Sequence, residues 1–145
     1  AGGSGNDTLY GGTENDRLSG TDGLDRLFGE GGTDIFDYDA VSHSRVGSTL
    51  RDVIGDFTGV GGSTRTEVID LSTIDANTGV SGNQAFTFRG TSAFSAPGQV
   101  RVQASGTSDT LIQANVTGTS GAEMEILVTD GSALPTAWNA LDFLL

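Results

Sequence analysis

The sequence predicts an all-β protein in which a coil of very short parallel strands is followed by a cap of mostly antiparallel strands. Three observations lead to this prediction: a nine-residue repeat near the start, a composition rich in glycine and aspartate, and short apolar runs from about residue 50. We expect residues 1–39 to form the repeats and residues 40–145 the cap. A chain of 145 residues suits one continuous domain with one core.

Four nine-residue units follow one another without a gap over residues 2–37: GGSGNDTLY, GGTENDRLS, GTDGLDRLF and GEGGTDIFD. The first position is always glycine, the sixth always aspartate and the eighth always large and apolar. A flexible linker would not need to hold three positions in phase, so the pattern indicates a folded repeat. The glycines are Gly2, Gly11, Gly20 and Gly29, the aspartates Asp7, Asp16, Asp25 and Asp34, and the apolar residues Leu9, Leu18, Leu27 and Phe36.

Each unit divides into a turn and a strand. Six glycine-rich residues can form a tight turn that brings carbonyl oxygens close together, because glycine adopts backbone angles that other residues avoid. The last three residues suit a short strand with one side chain pointing inward. Two units then make one coil, so we expect Asp7 to face Asp25 and Asp16 to face Asp34, 18 residues apart.

The composition calls for a stabilising element besides apolar burial. Only 35% of the residues are hydrophobic and 23 are glycine, while 19 acidic residues stand against seven arginines and no lysine. The net charge of −12 opposes compaction and argues against nucleic acid or an anionic membrane as partner. Without cysteine, neither a disulfide nor a thiolate metal site is possible. A bound cation fits these facts.

The facing carboxylates and carbonyls predict calcium as that cation. Ca²⁺ takes six to eight oxygen ligands, whereas Zn²⁺ prefers histidine or cysteine and Mg²⁺ demands a tighter octahedron. The single histidine, His43, excludes a His-Glu-x-x-His zinc protease site, and we expect it to be a solvated loop residue without catalytic function. Asp37 and Asp39 are a poor match to an EF-hand, because its sixth position lacks glycine. No enzymatic activity is expected of this chain.

The second half of the sequence predicts strands over residues 50–57, 67–71, 84–89, 99–103, 109–116 and 123–129. Residues 99–103 alternate strictly between polar and apolar, and residues 104–108 and 117–122 have the length of hairpin loops. These strands would close the open end of the coil, which otherwise exposes its core and unpaired backbone. We expect Trp138 to pack in this core.

The repeats resemble the calcium-binding nonapeptide repeats of RTX proteins, and the order of segments resembles the C-terminal domain of serralysin-type metalloproteases. The matching stretches are GTDIF at 32–36, DVIGDF at 52–57, EVIDLS at 67–72, AFTF at 85–88 and LDFLL at 141–145. This resemblance implies a parallel β-roll followed by a sandwich-like, mostly antiparallel cap. It also implies that residues 140–145, which would form a last core strand, are read as a secretion signal by a type I ABC exporter.

The resemblance further implies which residues bind calcium. One ion would lie among Gly2, Ser4, Asp7, Thr21, Gly23 and Asp25, and a second among Gly11, Thr13, Asp16, Glu30, Gly32 and Asp34. Further positions follow above the last repeats: Gly20 and Asp22 beside Asp25, Gly29 and Gly31 in the fourth repeat, and the later acids Asp52 and Glu67. His43 stands where the family usually has another aspartate, so the site above the third repeat is either missing or rescued by Asp39. No ion is expected at residues 115–120, where relatives are often acidic.

The resulting functional prediction is a calcium-dependent folding module of a secreted, extracellular bacterial protein. The chain begins inside a repeat pattern and shows no apolar segment of membrane-spanning length and no N-terminal export signal, so we expect a piece of a longer protein. The module would support secretion and stability of an upstream domain. The alternative is a polysaccharide-binding accessory module like those of alginate epimerases, although only Arg17 and Arg26 of the seven arginines lie in the repeats.

Overall fold

The computed structural model describes residues 1–58, 60, 62, 66–118, 121–129 and 135–145, and within these ranges it is built from strands and short 3₁₀ turns without an α-helix. The all-β prediction is therefore confirmed. No helix in the described ranges has the length and hydrophobicity needed to cross a membrane. The strands are β1 Gly3–Ser4, β2 Thr8–Gly12, β3 Arg17–Leu18, β4 Thr21–Asp22, β5 Arg26–Glu30, β6 Ile35–Asp37, β7 Asp52–Ile54, β8 Val68–Asp70, β9 Thr87–Phe88, β10 Gln99–Ser105, β11 Asp109–Asn115, β12 Met124–Val128 and β13 Phe143–Leu144. The 3₁₀ turns are Val41–His43, Pro135–Ala137 and Ala140–Asp142.

The repeats form a parallel coil with two units per turn, as predicted. Strand β1 pairs with β4, β2 with β5, and β3 with β6, all in parallel. In each pair the partners are 18 residues apart, as Thr8 and Arg26 illustrate. The eighth-position side chains point inward, where Leu18, Leu27 and Phe36 are buried and Leu9, on the lowest coil, is half-buried.

Strands beyond the repeats continue both walls of the coil. Strand β7 pairs in parallel with β5 and places Val53 opposite Arg26, while β8 pairs in parallel with β6 and places Val68 opposite Ile35. Strand β13 then adds to β8. The predicted terminal core strand is thus present, with Phe143 fully buried.

Two sheets face each other across the core. A seven-stranded sheet has the order β2-β5-β7-β12-β11-β10-β9, and a four-stranded sheet has the order β13-β8-β6-β3. The antiparallel part is the β10-β11-β12 meander, and β12 joins the roll through a parallel pairing with β7. The hairpin predicted at 104–108 is confirmed, with Ser105 opposite Asp109 and Gly106 at φ 70°. Of the loop predicted at 117–122, residues 119 and 120 lie outside the described residues.

Two predicted strands are much shorter than expected. The run at 50–57 yields only Asp52–Ile54, because the roll allows three-residue strands between its turns. The run at 84–89 yields only Thr87–Phe88, since Gln84 instead binds the loop before it through Ala76 and Asp75. Trp138 packs in the core as predicted, with its ring stacked on Phe57.

Candidate metal centre

The turns of the repeats use left-handed backbone angles at their second and fourth positions. These angles occur at Gly3, Gly5, Gly12, Gly23 and Gly32, and also at two residues with side chains, Thr21 (φ 73°) and Glu30 (φ 66°). Such angles are costly for residues other than glycine and persist only where surrounding contacts hold them. The hydroxyl of Thr21 donates to the carbonyl of Gly3, and the N–H of Glu30 donates to Asp56.

The first glycine of each unit lies directly beneath the carboxylate of the same unit. A Cβ added at Gly20 would lie 2.1 Å from Oδ2 of Asp25, and one added at Gly29 would lie 2.4 Å from Oδ2 of Asp34. No side chain fits in that space. The aspartate of each unit folds back over the first residue of its own turn. This contact explains why glycine and aspartate keep a fixed spacing of five residues in the sequence.

Successive coils also approach each other closely at the fourth position. A Cβ added at Gly23 would lie 1.8 Å from the carbonyl oxygen of Gly5, and one at Gly32 would lie 2.3 Å from the carbonyl oxygen of Glu14. Backbone hydrogen bonds join the same turns, because Gly3 N–H donates to Gly20 and Gly5 N–H to Asp22. The backbones of neighbouring coils are therefore in direct contact at these turns.

The sixth-position acids form a first column that runs through three layers. Oδ1 of Asp25 accepts the N–H of Asp7 at 2.8 Å, and Oδ1 of Asp52 accepts the N–H of Asp25 at 2.8 Å. Asp7, Asp25 and Asp52 thus repeat one contact from layer to layer. Asp25 and Asp52 are fully buried.

A second column lies on the other side of the coil. Oδ1 of Asp34 accepts the N–H of Asp16 at 2.9 Å. The pairing of Ile35 with Val68 places Glu67 next above Asp34. Glu67 is 2% exposed, and its carboxylate accepts the N–H of Thr58.

The place above the third repeat is taken by Asp52 and not by His43. His43 lies in the 3₁₀ turn Val41–His43, which packs against β4, and the chain returns to the column only at Asp52. Asp39, the alternative rescuing acid, accepts the hydroxyl of Thr73 at 2.7 Å. Counting in nines from Asp34 does reach Asp52 by way of His43. The 18-residue step within a column, however, would place His43 above Asp25 and Asp52 in the other column. The observed step from Asp25 to Asp52 is 27 residues, so the segment after the repeats shifts Asp52 by one unit.

Burial and mutual repulsion perturb these acids. Burial raises the pKa of Asp52 to about 7, the N–H of Asp25 opposes that rise, and the Asp25 carboxylate adds to it. Burial likewise raises the pKa of Glu67 to about 7, with repulsion from Asp56 and Asp34 in the same direction. The pKa of Asp25 is also raised, chiefly by burial. A cation between the layers would offset each of these penalties.

One carboxylate oxygen in each of four acids lacks a hydrogen-bond partner within the described ranges although it is buried. These are the Oδ2 atoms of Asp7, Asp25, Asp34 and Asp52. Buried carboxylate oxygens without partners are costly, and the same orphan in successive layers fits a cation held at these positions. No group of three or more acidic, histidine or cysteine side chains gathers in the described ranges. Each layer of the described turns offers carboxylates, such as Asp7 with Asp25, together with backbone carbonyls, and such hard oxygen donors are of the kind that Ca²⁺ prefers.

The remaining candidate ligands lie in the same turns. Ser4 and Asp22 are opposite each other in the β1–β4 pair, and the side chain of Asp22 is exposed. The carbonyl of Gly12, next to Thr13, accepts the N–H of Gly31 at 2.7 Å. Gly2 and Gly11 lie beneath Asp7 and Asp16, where an added Cβ would be 2.7 Å and 2.9 Å from Oδ2.

Two kinds of supporting residue were missed in the sequence. Asp56 accepts the N–H groups of Gly29 and Glu30 at 2.9 Å and 2.8 Å and so holds the start of the fourth repeat. Asn6 and Asn15 accept the N–H groups of Leu24 and Thr33 one coil above. The signals were the second acid of DVIGDF and the Asn-Asp pair that recurs nine residues apart.

Comparisons with known proteins agree with this geometry. Residues 1–40 match the family model of the RTX calcium-binding nonapeptide repeat, in four copies. No curated protein matches the chain. The fold is similar to the solution structure of the AlgE6R3 subunit from the Azotobacter vinelandii mannuronan C5-epimerase, with a TM-score of 0.56, 19% identity, and 99% of this chain and 80% of that one covered. Residues 1–40 are thus a run of RTX calcium-binding nonapeptide repeats, and the chain has the β-roll fold.

Proposed function

We propose that this chain is a calcium-dependent folding module in which ions bind between coils at the two columns of acids. The observation that carries the proposal is the buried, unpartnered Oδ2 atom that recurs at Asp7, Asp25, Asp34 and Asp52. A cation in each layer would give every one of these buried oxygens a partner, which supports the proposal.

The chain's own groups would set the response to calcium. Without a cation, the facing carboxylates repel each other and 23 glycines favour the unfolded chain. A bound calcium ion would supply positive charge and coordination for the orphan oxygens. Because the cage exists only in the folded state, its binding free energy becomes folding free energy.

The repeats would form two of these sites. The first takes Asp7 and Asp25 with carbonyls of Gly2, Ser4, Thr21 and Gly23. The second takes Asp16 and Asp34 with carbonyls of Gly11, Thr13, Glu30 and Gly32. Upper layers would pair Asp25 with Asp52, beside Gly20 and Asp22, and Asp34 with Glu67, beside Gly29 and Gly31.

The biological setting we propose is extracellular, on a bacterial protein exported by a type I ABC exporter. RTX repeats of this kind are typical of secreted proteins, and extracellular calcium modules have dissociation constants of roughly 10⁻⁴–10⁻³ M. Such weak sites would stay empty in the cytosol, where the unfolded chain could be threaded through an exporter. Outside the cell they would fill, and the folded module would stabilise whatever precedes it.

Circular dichroism on the full chain tests the proposal. We expect little β signal in chelator, a cooperative gain on adding millimolar Ca²⁺, and no such gain with Mg²⁺. Calorimetric titration should then give two or more bound ions per chain. A spectrum that is native-like in chelator and unchanged by Ca²⁺ would contradict calcium-dependent folding.

A second candidate is binding of an acidic polysaccharide, and one cleft favours it. This cleft of about 410 Å³ is lined by Asn6, Asp22, Gly23, Leu24, Ser42, Arg45, Thr49 and Leu50. In the described ranges no salt bridge involves Arg45, so its guanidinium could meet a uronate carboxylate. The similar module from a mannuronan C5-epimerase points the same way. Titration of the calcium-loaded chain with oligouronates, with Arg45→Gln as the comparison variant, decides this candidate.

A further inference from the structure

Ser44 connects strand β12 of the antiparallel meander to Asp52, the first residue of β7. Its side chain is fully buried, and its hydroxyl accepts the N–H of Asp52 at 2.8 Å while donating to the carbonyl of Glu125 in β12. Its own carbonyl accepts the N–H of Glu125 at 3.1 Å. One serine thereby fixes the backbone at Asp52 to a strand of the antiparallel meander.

Glu125 contacts residues of the segment 45–51, which leads from Ser44 into β7. Its Oε2 atom accepts the N–H of Gly47 at 3.0 Å and the guanidinium of Arg51 at 3.1 Å, while Oε1 accepts the side-chain amide of Gln113 at 2.8 Å. Burial alone would raise the pKa of Glu125, but these three donors hold it below its ordinary value. The carboxylate is therefore charged and has donors on both oxygens.

Asp52 is consequently fixed from two sides. Its N–H is held by Ser44, and its Oδ1 atom accepts the N–H of Asp25. Its Oδ2 atom is buried without a hydrogen bond, and the fully buried Tyr38 hydroxyl close to the carboxylate opposes the rise in its pKa. A carboxylate that must meet a cation within a few tenths of an ångström depends on such supporting contacts. The supports belong to the cap, outside the repeats.

We propose that Ser44 and Glu125 are positioning residues for the calcium site that Asp52 completes, so that the affinity of this upper layer depends on the cap. The inference rests on the proposed calcium function and concerns one of its sites. It predicts that the Asp16–Asp34 layer, on the other column, is independent of this contact.

The test is a calcium titration of the full chain by calorimetry, with circular dichroism on the same samples. Ser44→Ala leaves the buried N–H of Asp52 unpaired, so we expect the ion that Asp52→Asn also weakens to lose about tenfold in affinity. Glu125→Gln keeps the shape of the side chain but removes its charge, and we expect about threefold for the same ion. Ser72→Ala is the matched control: it removes a hydroxyl that donates to the carboxylate of Asp70 at 2.6 Å and should change no affinity.

A double-mutant cycle separates positioning from general destabilisation. In an Asp52→Asn background the upper site is already impaired, so Ser44→Ala should have little further effect on the calcium midpoint. In an Asp16→Asn background its effect should persist at full size. Equal effects in both backgrounds, or an equal loss at every ion, would overturn the inference while leaving calcium-dependent folding intact. A wild-type chain that binds no calcium would instead remove the proposed function itself.

Discussion

The close approach between Gly23 and Gly5 gives the sharpest prediction. A Cβ at Gly23 would lie 1.8 Å from the Gly5 carbonyl oxygen, whereas a carbon and a carbonyl oxygen rarely approach closer than about 3.3 Å. Gly23→Ala must therefore separate these two turns by about 1.5 Å, the difference between 3.3 and 1.8. Ca²⁺–oxygen distances span only about 2.3–2.6 Å, so the ion between the first and third repeats should be lost.

Gly5→Ala is the matched control for this variant. Gly5 also has a left-handed backbone angle (φ 115°), but an added Cβ would meet nothing within 4 Å. Gly5→Ala should cost only backbone strain, about 1–3 kcal/mol, and keep the number of bound ions. Gly23→Ala should in addition lose about 2.7 kcal/mol of stability at a calcium concentration 100 times the dissociation constant of the lost site.

Calorimetric stoichiometry and urea unfolding at fixed calcium measure both quantities. We expect one ion fewer for Gly23→Ala than for Gly5→Ala. If the two variants bind the same number of ions with similar midpoints, then carbonyl spacing between coils does not determine calcium binding, and the reasoning fails.

Three further predictions concern the acids of the two columns and the supporting residue Asp56. Asp34→Ala should raise the calcium midpoint for folding about tenfold or more, and by more than Asp7→Ala, because Asp34 is fully buried and lies between Asp16 and Glu67. Asp22→Ala should change the midpoint little, because the side chain of Asp22 is exposed. Equal effects of Asp22→Ala and Asp34→Ala would refute the proposed register. In chelator, folding should be less unfavourable at pH 5 than at pH 8, because the folded pKa values of Asp52 and Glu67 are raised to about 7 and their contribution to stability, complete below pH 4, is lost as pH rises through 7. Circular dichroism of the calcium-free chain should therefore show more β signal at pH 5 than at pH 8, and less signal at pH 5 would contradict the sign. Asp56→Ala should lower the free energy of unfolding in saturating calcium by about 1.5–3 kcal/mol, because the N–H groups of Gly29 and Glu30 lose a charged acceptor. Asp56→Asn should lower it by about half as much. A urea titration in which both variants match the wild type would show that Asp56 does not hold the start of the fourth repeat.

The repeats could be predicted because the residues that form each turn and strand lie within the same nine-residue unit. Each unit carries its own turn glycine, carboxylate and inward apolar residue, so a fixed period reveals both the fold and the stacking partners. Asp25 and Asp34 could be identified in this way. The signal disappears once a layer is completed by a residue outside the repeats.

The upper layers show why the rest could not be predicted by counting. Asp52 reaches its place after the 3₁₀ turn Val41–His43 and the segment held by Ser44. It keeps the nine-residue phase, but strict alternation of units would have placed it above Asp34 and not above Asp25. The contacts of Glu125 with Ser44, Gly47 and Arg51 join residues 74 to 81 positions apart in the chain, which a single sequence does not encode as a pattern. The motif DVIGDF marked Asp52 and Asp56 only through resemblance.

The 18-residue step between paired strands also limits how such a roll can change its length. Because consecutive units alternate between the two walls, inserting or deleting one unit would move every later strand to the opposite sheet and separate each acid from its column. Adding or removing two units together would preserve every pairing and change the height by one layer. Copy number in this architecture should therefore vary in pairs during evolution, and a designer who lengthens the roll should insert eighteen residues at a time.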